Sequence, residues 1–173
     1  MSARPTARPR GKYFDEFSVG DRFESPRRTI TQTDIINFAC LSGDFNAPHV
    51  DFEFCKRQPY GEVIAHGPLV FSIAAGLLCQ LGINDGTIVA MLGVDEWRVN
   101  SPVKHGDTIH AVATVSELRR TSKGDRGIVT FLREICNQRD EVVQSVIVRS
   151  MYLCTPGRAA PQGPPRPSAA PPR

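Results

Sequence analysis

The 173 residues, of which 40% are hydrophobic, suffice for one domain with a real core. The net charge of +3 comes from two terminal segments, residues 2–12 and 156–173, which together hold seven basic residues and no acidic ones. The rest of the chain has 14 basic residues against 18 acidic ones, so a nucleic-acid-binding face is not expected.

The terminal segments have compositions typical of disorder. Residues 156–173 hold seven of the fourteen prolines and no aromatic or β-branched residue. Such a segment cannot bury enough apolar surface to offset the entropy lost on ordering. We therefore predict a disordered basic tail over residues 1–12, one domain over 13–155, and a disordered Pro/Arg-rich tail over 156–173.

The cysteines and the hydropathy pattern bear on location and on metal sites. Five cysteines, an odd number without CxxC spacing, argue against a disulfide framework or a zinc site and favour a reducing compartment. The N-terminus lacks the apolar stretch of a signal peptide, and no uncharged apolar run approaches the roughly 20 residues of a membrane-spanning helix. We expect a cytoplasmic protein with no metal, no membrane and no nucleic acid as partner.

Three helices are predicted after an entry turn and a strand within residues 13–30. Thr31 and Asp34 have the spacing of a capping box, which predicts a helix that starts there and ends at Gly43. A short helical piece is predicted over 51–57. The longest helix is predicted over 67–81, and it is apolar on nearly every side, as a buried helix is.

Four β-strands are predicted in the second half of the chain, over 88–99, 107–119, 126–138 and 141–154. These runs are rich in Val, Ile and Thr, and turn residues separate them. His105 and His110, in or beside the second strand, are expected at the surface. The order of elements predicts an α+β fold in which a curved antiparallel sheet wraps around one long helix.

Asp44, Asn46 and His49 follow the predicted helix end in a short loop that Pro48 stiffens. A carboxylate and an imidazole held together are a plausible acid–base pair for moving protons on and off a water molecule. The alternative is that Asp44 and Asn46 only end the helix and shape the turn, which is their commoner use.

The segment 41–49 (LSGDFNAPH) resembles the signature of the MaoC-like (R)-specific enoyl-CoA hydratases, a family with the hotdog fold. Three other segments are similar to the same family: 13–21 (YFDEFSVGD), 65–67 (AHG) and 97–107 (WRVNSPVKHGD). The resemblance covers roughly residues 13–153. One departure is Ala47, which stands between Asn46 and Pro48 where the family commonly has Pro directly after the Asn.

The resemblance implies reversible hydration of a trans-2-enoyl-CoA to the (R)-3-hydroxyacyl-CoA, with Asp44 and His49 as the catalytic pair. Gly67 would present its backbone amide to the thioester oxygen as an oxyanion hole, at the positive end of the long helix. Asn46, His66 and Ser72 would support the site. For His66 a structural hydrogen bond is the alternative to proton transfer, and for Ser72 it is helix packing or a bond to a helix carbonyl.

The resemblance also implies a homodimer, an acyl-CoA substrate and no cofactor. Two other functions remain open. One is a hotdog acyl-CoA thioesterase, in which water attacks the thioester carbonyl. The other is a non-catalytic module that binds acyl thioesters or serves as an accessory subunit. The presence of both Asp44 and His49 favours the hydratase over either.

Overall fold

The computed structural model describes residues 10–157, and in it six antiparallel strands form the sheet. The strands are β1 Arg22–Glu24, β2 Arg28–Thr29, β3 Ile88–Val99, β4 Thr108–Arg120, β5 Arg126–Cys136 and β6 Val142–Leu153. Their order is β1-β4-β5-β6-β3, and β2 also pairs with β4. Every end of the four long strands lies within two residues of its predicted position, so the predicted sheet is confirmed.

Four helices join the sheet: α1 Gln32–Ser42, α2 Ala47–Val50, α3 Phe52–Cys55 and α4 Gly67–Cys79. Helix α1 begins at the predicted capping box, since Thr31 Oγ1 accepts from the Asp34 amide and the Asp34 carboxylate accepts from the Thr31 amide. It ends at Gly43, whose φ of 78° is left-handed. Helix α4 ends two residues before its predicted end.

The core lies between α4 and the sheet, with β4 in contact with the helix. The helix buries five apolar side chains, namely Leu69, Val70, Ala74, Leu77 and Leu78. They join Ile109, Ala111, Ala113 and Val115 of β4 in one cluster. The predicted α+β arrangement of a sheet around a long helix is confirmed.

His110 is not at the surface, so that prediction was wrong. It is 3% exposed on β4, a strand flanked by β1 and β5. Its Nε2 lies 3.7 Å from Glu24 Oε1 and 3.8 Å from Asp140 Oδ1. Two carboxylates from neighbouring elements thus cover the imidazole, which a pattern within one strand does not reveal.

The N-terminal side of the core starts before the predicted domain boundary. The Gly11 amide donates to Asp85 O and the Lys12 amide to Ile83 O, both at 2.9 Å, although both residues were assigned to the tail. The remaining tail predictions fall on residues 1–9 and 158–173, outside the described residues. All five cysteines are free. Within residues 10–157, no helix has the length and apolar character needed to cross a membrane.

The two ends of the described core meet at Asp15. Its carboxylate accepts a 2.8 Å hydrogen bond from the Thr155 amide and pairs with Arg120 of β4. The segment entering the sheet and the segment leaving it are therefore neighbours.

Candidate active site

The loop between α1 and α2 is shaped by its own sequence. The Gly43 amide donates to Ala39 O at 2.8 Å, and the left-handed backbone at Gly43 then turns the chain out of the helix. Asn46 is the N-cap of α2 and Pro48 lies in the first turn of that helix, where its missing amide hydrogen costs nothing. Asp44 thus lies at the exit of one helix and His49 within the next.

Asn46 orients the Asp44 carboxylate. Oδ1 accepts from the Asn46 backbone amide at 3.2 Å and from its side-chain amide at 2.7 Å. These bonds, the backbone one first, lower the pKa of Asp44, and the nearby His49 and His66 act in the same direction. The other oxygen, Oδ2, lies 4.0 Å from Nε2 of each histidine.

His49 has a defined tautomer. Its Nδ1 lies 2.7 Å from the backbone oxygen of Ile64. A carbonyl only accepts, so Nδ1 carries the hydrogen, and in the neutral ring Nε2 offers a lone pair on the side of Asp44. The side chain is 15% exposed, against 40% for Asp44, so both remain accessible.

His66 lies beneath the pair and is 1% exposed. Its Nε2 donates to the Asp44 backbone oxygen at 2.9 Å. Its ring stacks on that of His49 with centroids 3.7 Å apart and planes 25° apart. His66 thereby contacts both residues of the predicted pair, through the backbone of one and the ring of the other.

Asp44, His49 and His66 also have donor atoms within 4.8 Å of one another, an arrangement that can hold a metal ion. The donor set fits this poorly. Asp44 Oδ1 is held by Asn46, and His66 Nε2 carries the hydrogen that it donates to a carbonyl. Only Asp44 Oδ2 and His49 Nε2 are left, fewer than the three protein ligands of a catalytic zinc site.

Gly67 is the first residue of α4, and its amide has no acceptor among residues 10–157. A Cβ there would lie 3.5 Å from Val99 Cγ2 and 3.6 Å from Trp97 Cζ2, which is ordinary contact. Neighbouring protein atoms therefore do not require a glycine. The small residue instead leaves the amide open to an adjoining cavity.

That cavity measures about 400 Å³ and has both polar and apolar walls. Its lining includes His49, Tyr60, Ile64, Gly67, Val70 and Gln144. One imidazole of the predicted pair and the predicted oxyanion-hole residue thus border the same space. A small acyl group in this space would contact both.

The structure places two further polar side chains near the start of α4, Ser72 on the helix and Gln144 beside Gly67. The Ser72 hydroxyl is exposed and donates to Pro68 O at 2.8 Å, which is the helix-carbonyl alternative left open above. Gln144 was not predicted at all. It is 1% exposed and bonded to Gly67 O, but an isolated glutamine in a strand has the same pattern as a solvent-facing one.

An antiparallel sheet wrapped around one long helix is the architecture of the hotdog fold. A Mycobacterium tuberculosis protein described as having a double hotdog fold superposes with a TM-score of 0.78 at 21% identity, over 95% of this chain and 54% of that one. Residues 16–133 match the sequence model of the family described as "MaoC like domain". The chain belongs to this MaoC-like family.

Two relatives illustrate the range of the family. Protein MaoC of Klebsiella aerogenes is 42% identical over 118 residues, which are 68% of this chain but 34% of that protein. The (R)-specific enoyl-CoA hydratase of Rhodospirillum rubrum is 31% identical over 131 residues, 76% of this chain and 85% of that one. The chain thus aligns with about a third of the first relative and most of the second.

Proposed function

We propose that the protein is a hydro-lyase that reversibly hydrates a trans-2-enoyl-CoA to the (R)-3-hydroxyacyl-CoA. The observation that carries the proposal is the pair of acceptor atoms Asp44 Oδ2 and His49 Nε2, 4.0 Å apart beside the cavity that Gly67 borders. The name of the Rhodospirillum rubrum relative supports the same reaction.

At this separation one water molecule would bridge the two acceptors from the side. A water oxygen about 2.8 Å from each atom would donate one hydrogen to Asp44 and the other to His49. Its lone pairs would then face a substrate in the cavity. Oriented this way, water adds its hydroxyl to Cβ while the pair accepts the released proton.

The proton taken from water returns to Cα on the same face, so H and OH add together and the pair ends as it began. Asp44 and His49 act as one unit in this cycle. During the addition, negative charge builds on the thioester oxygen. The Gly67 amide and the positive end of α4 would stabilise that charge.

The same proposal includes a homodimer formed through β3, in a cytoplasmic protein as the cysteine pattern indicates. Strand β3 ends the strand order, and its outer edge has no partner among the described residues. It carries seven exposed apolar side chains, namely Ile88, Val89, Met91, Leu92, Val94, Trp97 and Val99. A second copy on this strand would extend the sheet and cover them.

The test is loss of the conjugated enoyl absorbance when the protein meets crotonyl-CoA, with the configuration of the alcohol determined by chiral chromatography. Asp44→Asn keeps an oxygen for Asn46 but removes the base, and His49→Ala removes the imidazole. We expect each to lower kcat by about 10²–10⁴-fold, the usual contribution of a general acid or base. Asp125→Asn and His105→Ala, both exposed, are the matched controls and should keep wild-type kcat.

Other outcomes would reassign the protein. Release of free thiol without loss of the enoyl group would indicate a thioesterase. Folded protein that binds acyl-CoA but catalyses neither reaction would indicate a binding module. Formation of the (S)-alcohol would contradict the proposed stereochemistry while leaving the hydratase chemistry in place.

A further inference from the structure

We propose that Gln144 is a positioning residue that holds the backbone of Gly67 by its carbonyl, so that the amide N–H of the same residue faces the substrate thioester. The inference rests on the proposed function, because it assigns a task to a residue at the same site. Gln144 lies on β6, a central strand, opposite Val99 of β3 and Ile135 of β5. No motif in the sequence draws attention to it.

Both ends of the Gln144 amide are used, although the side chain is 1% exposed. Nε2 donates to Gly67 O at 3.1 Å, and Oε1 accepts from the indole nitrogen of Trp97 at 3.1 Å. Burying an amide without such partners is costly, because its lost hydrogen bonds to water are not replaced. A buried glutamine with two long-range partners is therefore a specific arrangement.

The partners also fix which end of the amide faces which way. An indole N–H only donates and a backbone carbonyl only accepts, so the oxygen of Gln144 must face Trp97 and its nitrogen must face Gly67. The amide therefore has one orientation that satisfies both bonds. It transmits the position of Trp97 to Gly67 through a rigid planar group.

Gly67 needs such support more than another residue would. Without a Cβ it has the widest choice of backbone angles, and its amide, at the start of α4, has no intrahelical acceptor. The position of its missing Cβ is surrounded by Val99, Trp97 and Gln144 at 3.5–3.8 Å. Gln144 is the member of this group that bonds to the Gly67 backbone.

The neighbouring residue is anchored on the other side. His66 donates to the Asp44 backbone, so the chain is tied to the catalytic loop at residue 66 and to the sheet at residue 67. The two ties set the Gly67 amide relative to the water held by Asp44 and His49. A shift of about 1 Å in such an alignment can cost on the order of 10²-fold in rate.

The first experiment compares the kinetics of Gln144→Leu and Trp97→Phe on crotonyl-CoA. Gln144→Leu removes both hydrogen bonds at similar volume, and we expect kcat to fall about 10- to 100-fold with KM changed less than about threefold. Of the two hydrogen bonds, Trp97→Phe removes only the one from the indole, so it should give a smaller loss in the same parameter. Ser150→Ala, a buried polar change about 20 Å along the same strand, is the control and should be silent.

Loss of folded protein would also lower kcat, so competent sites are counted by calorimetric titration with butyryl-CoA, which cannot be hydrated. A second test compares the double variant Gly67→Ala/Gln144→Leu with each single variant. Because Gln144 acts through Gly67, the losses of kcat in the two single variants should not add in the double variant. Wild-type kcat per competent site in Gln144→Leu, or strictly additive losses, would overturn the proposal.

A readout independent of turnover is the carbonyl stretch of bound butyryl-CoA labelled with ¹³C at the thioester carbon. Polarisation by the Gly67 amide should lower its frequency on the wild type, and Gln144→Leu should return it toward the free value. An unchanged band in the variant overturns the proposal even if the enzyme is a hydratase. A band that shifts as expected in a protein without hydratase activity refutes the proposed function alone, and failure to bind any acyl-CoA refutes both.

Discussion

The imidazoles of His49 and His66 lie ring on ring, and each donates its hydrogen to a backbone carbonyl. The consequences differ because the accepting carbonyls differ. His49 donates its Nδ1 hydrogen to Ile64 O, so its Nε2 keeps a lone pair on the side of Asp44. His66 instead donates its Nε2 hydrogen to the Asp44 backbone oxygen. His66 is therefore placed to support the pair, and the proposed proton transfer involves Asp44 and His49.

Substitutions of His66 distinguish a role in supporting the Asp44–His49 pair from a role in proton transfer. Glutamine can place a donor near the position of Nε2 and keep the bond to Asp44 O, whereas leucine cannot. We expect His66→Gln to retain most of the kcat and His66→Leu to lose it, with about 1–3 kcal/mol of unfolding free energy lost in the leucine variant for the orphaned carbonyl. Crotonyl-CoA kinetics and urea unfolding measure both. Equal inactivation of the two variants would show that His66 itself transfers a proton.

The side chain of Asn46 should affect the titration of Asp44. The Asn46 amides lower the pKa of Asp44, so this carboxylate stays ionised to a lower pH than an ordinary aspartate. Asn46→Ala removes the side-chain bond and keeps the backbone one, so the pKa of Asp44 should rise part of the way back, and the carboxylate should become protonated at higher pH. Titration of the Asp44 carboxyl carbon by NMR measures the change.

Asp140 is the internal control in the same spectra, because its pKa is lowered by its ion pair with Arg27 and not by Asn46. Its titration should be unaltered. If the Asp44 midpoint stays in place in Asn46→Ala, the side-chain bond does not act on this carboxylate in solution.

Among the elements, helix α1 leads into the loop that carries Asp44, and its first turn is held by the Thr31–Asp34 capping box. Thr31→Ala removes the side-chain acceptor for the Asp34 amide and should lower the free energy of unfolding by about 1 kcal/mol. Since the helix still forms in the folded state, kcat should stay near the wild-type value. Urea unfolding and crotonyl-CoA kinetics measure the two effects.

Thr33→Ala is the matched control, because Thr33 is exposed in the same turn. It should be neutral or slightly stabilising, since alanine favours the helix more than threonine does. Equal destabilisation by the two changes would show that the box contributes no more than any threonine of this turn.

The elements were predictable because their signals are local. Helix α1 follows from a cap, an apolar face and a terminal glycine, and the long strands follow from β-branched runs between turns. Asp44, Asn46 and His49 were found in the same way, within six residues of one another. Gln144 and His110 were not, because their environments come from other parts of the chain: the bond from Gln144 to Gly67 joins residues 77 positions apart.

For the whole molecule, the apolar edge strand β3 predicts association. Ala90 and Met91 pair with consecutive residues of β6 and therefore point to opposite faces, so Ala90→Lys/Met91→Lys places a charge on each face of β3, whichever face a second copy covers. We expect a dimer for the wild type and a monomer for this variant, measured by size-exclusion chromatography with light scattering.

Val19→Lys changes an apolar side chain that is 65% exposed and lies outside β3, so it should leave the dimer intact. A wild type that is monomeric at micromolar concentration would contradict the proposed interface. A double variant that remains dimeric would place the interface elsewhere on the surface.

Because Asp15 and Thr155 are neighbours, the fold does not require the chain to begin at one and end at the other. A short Gly/Ser linker would suffice to join Thr155 to Asp15, and new ends could be opened between the exposed Ser122 and Lys123, in the turn between β4 and β5. Such a circularly permuted chain would have the same sheet, the same helix and the same pair of residues around the cavity. The bond between Asp15 and the Thr155 amide would then span a loop instead of bringing two ends together.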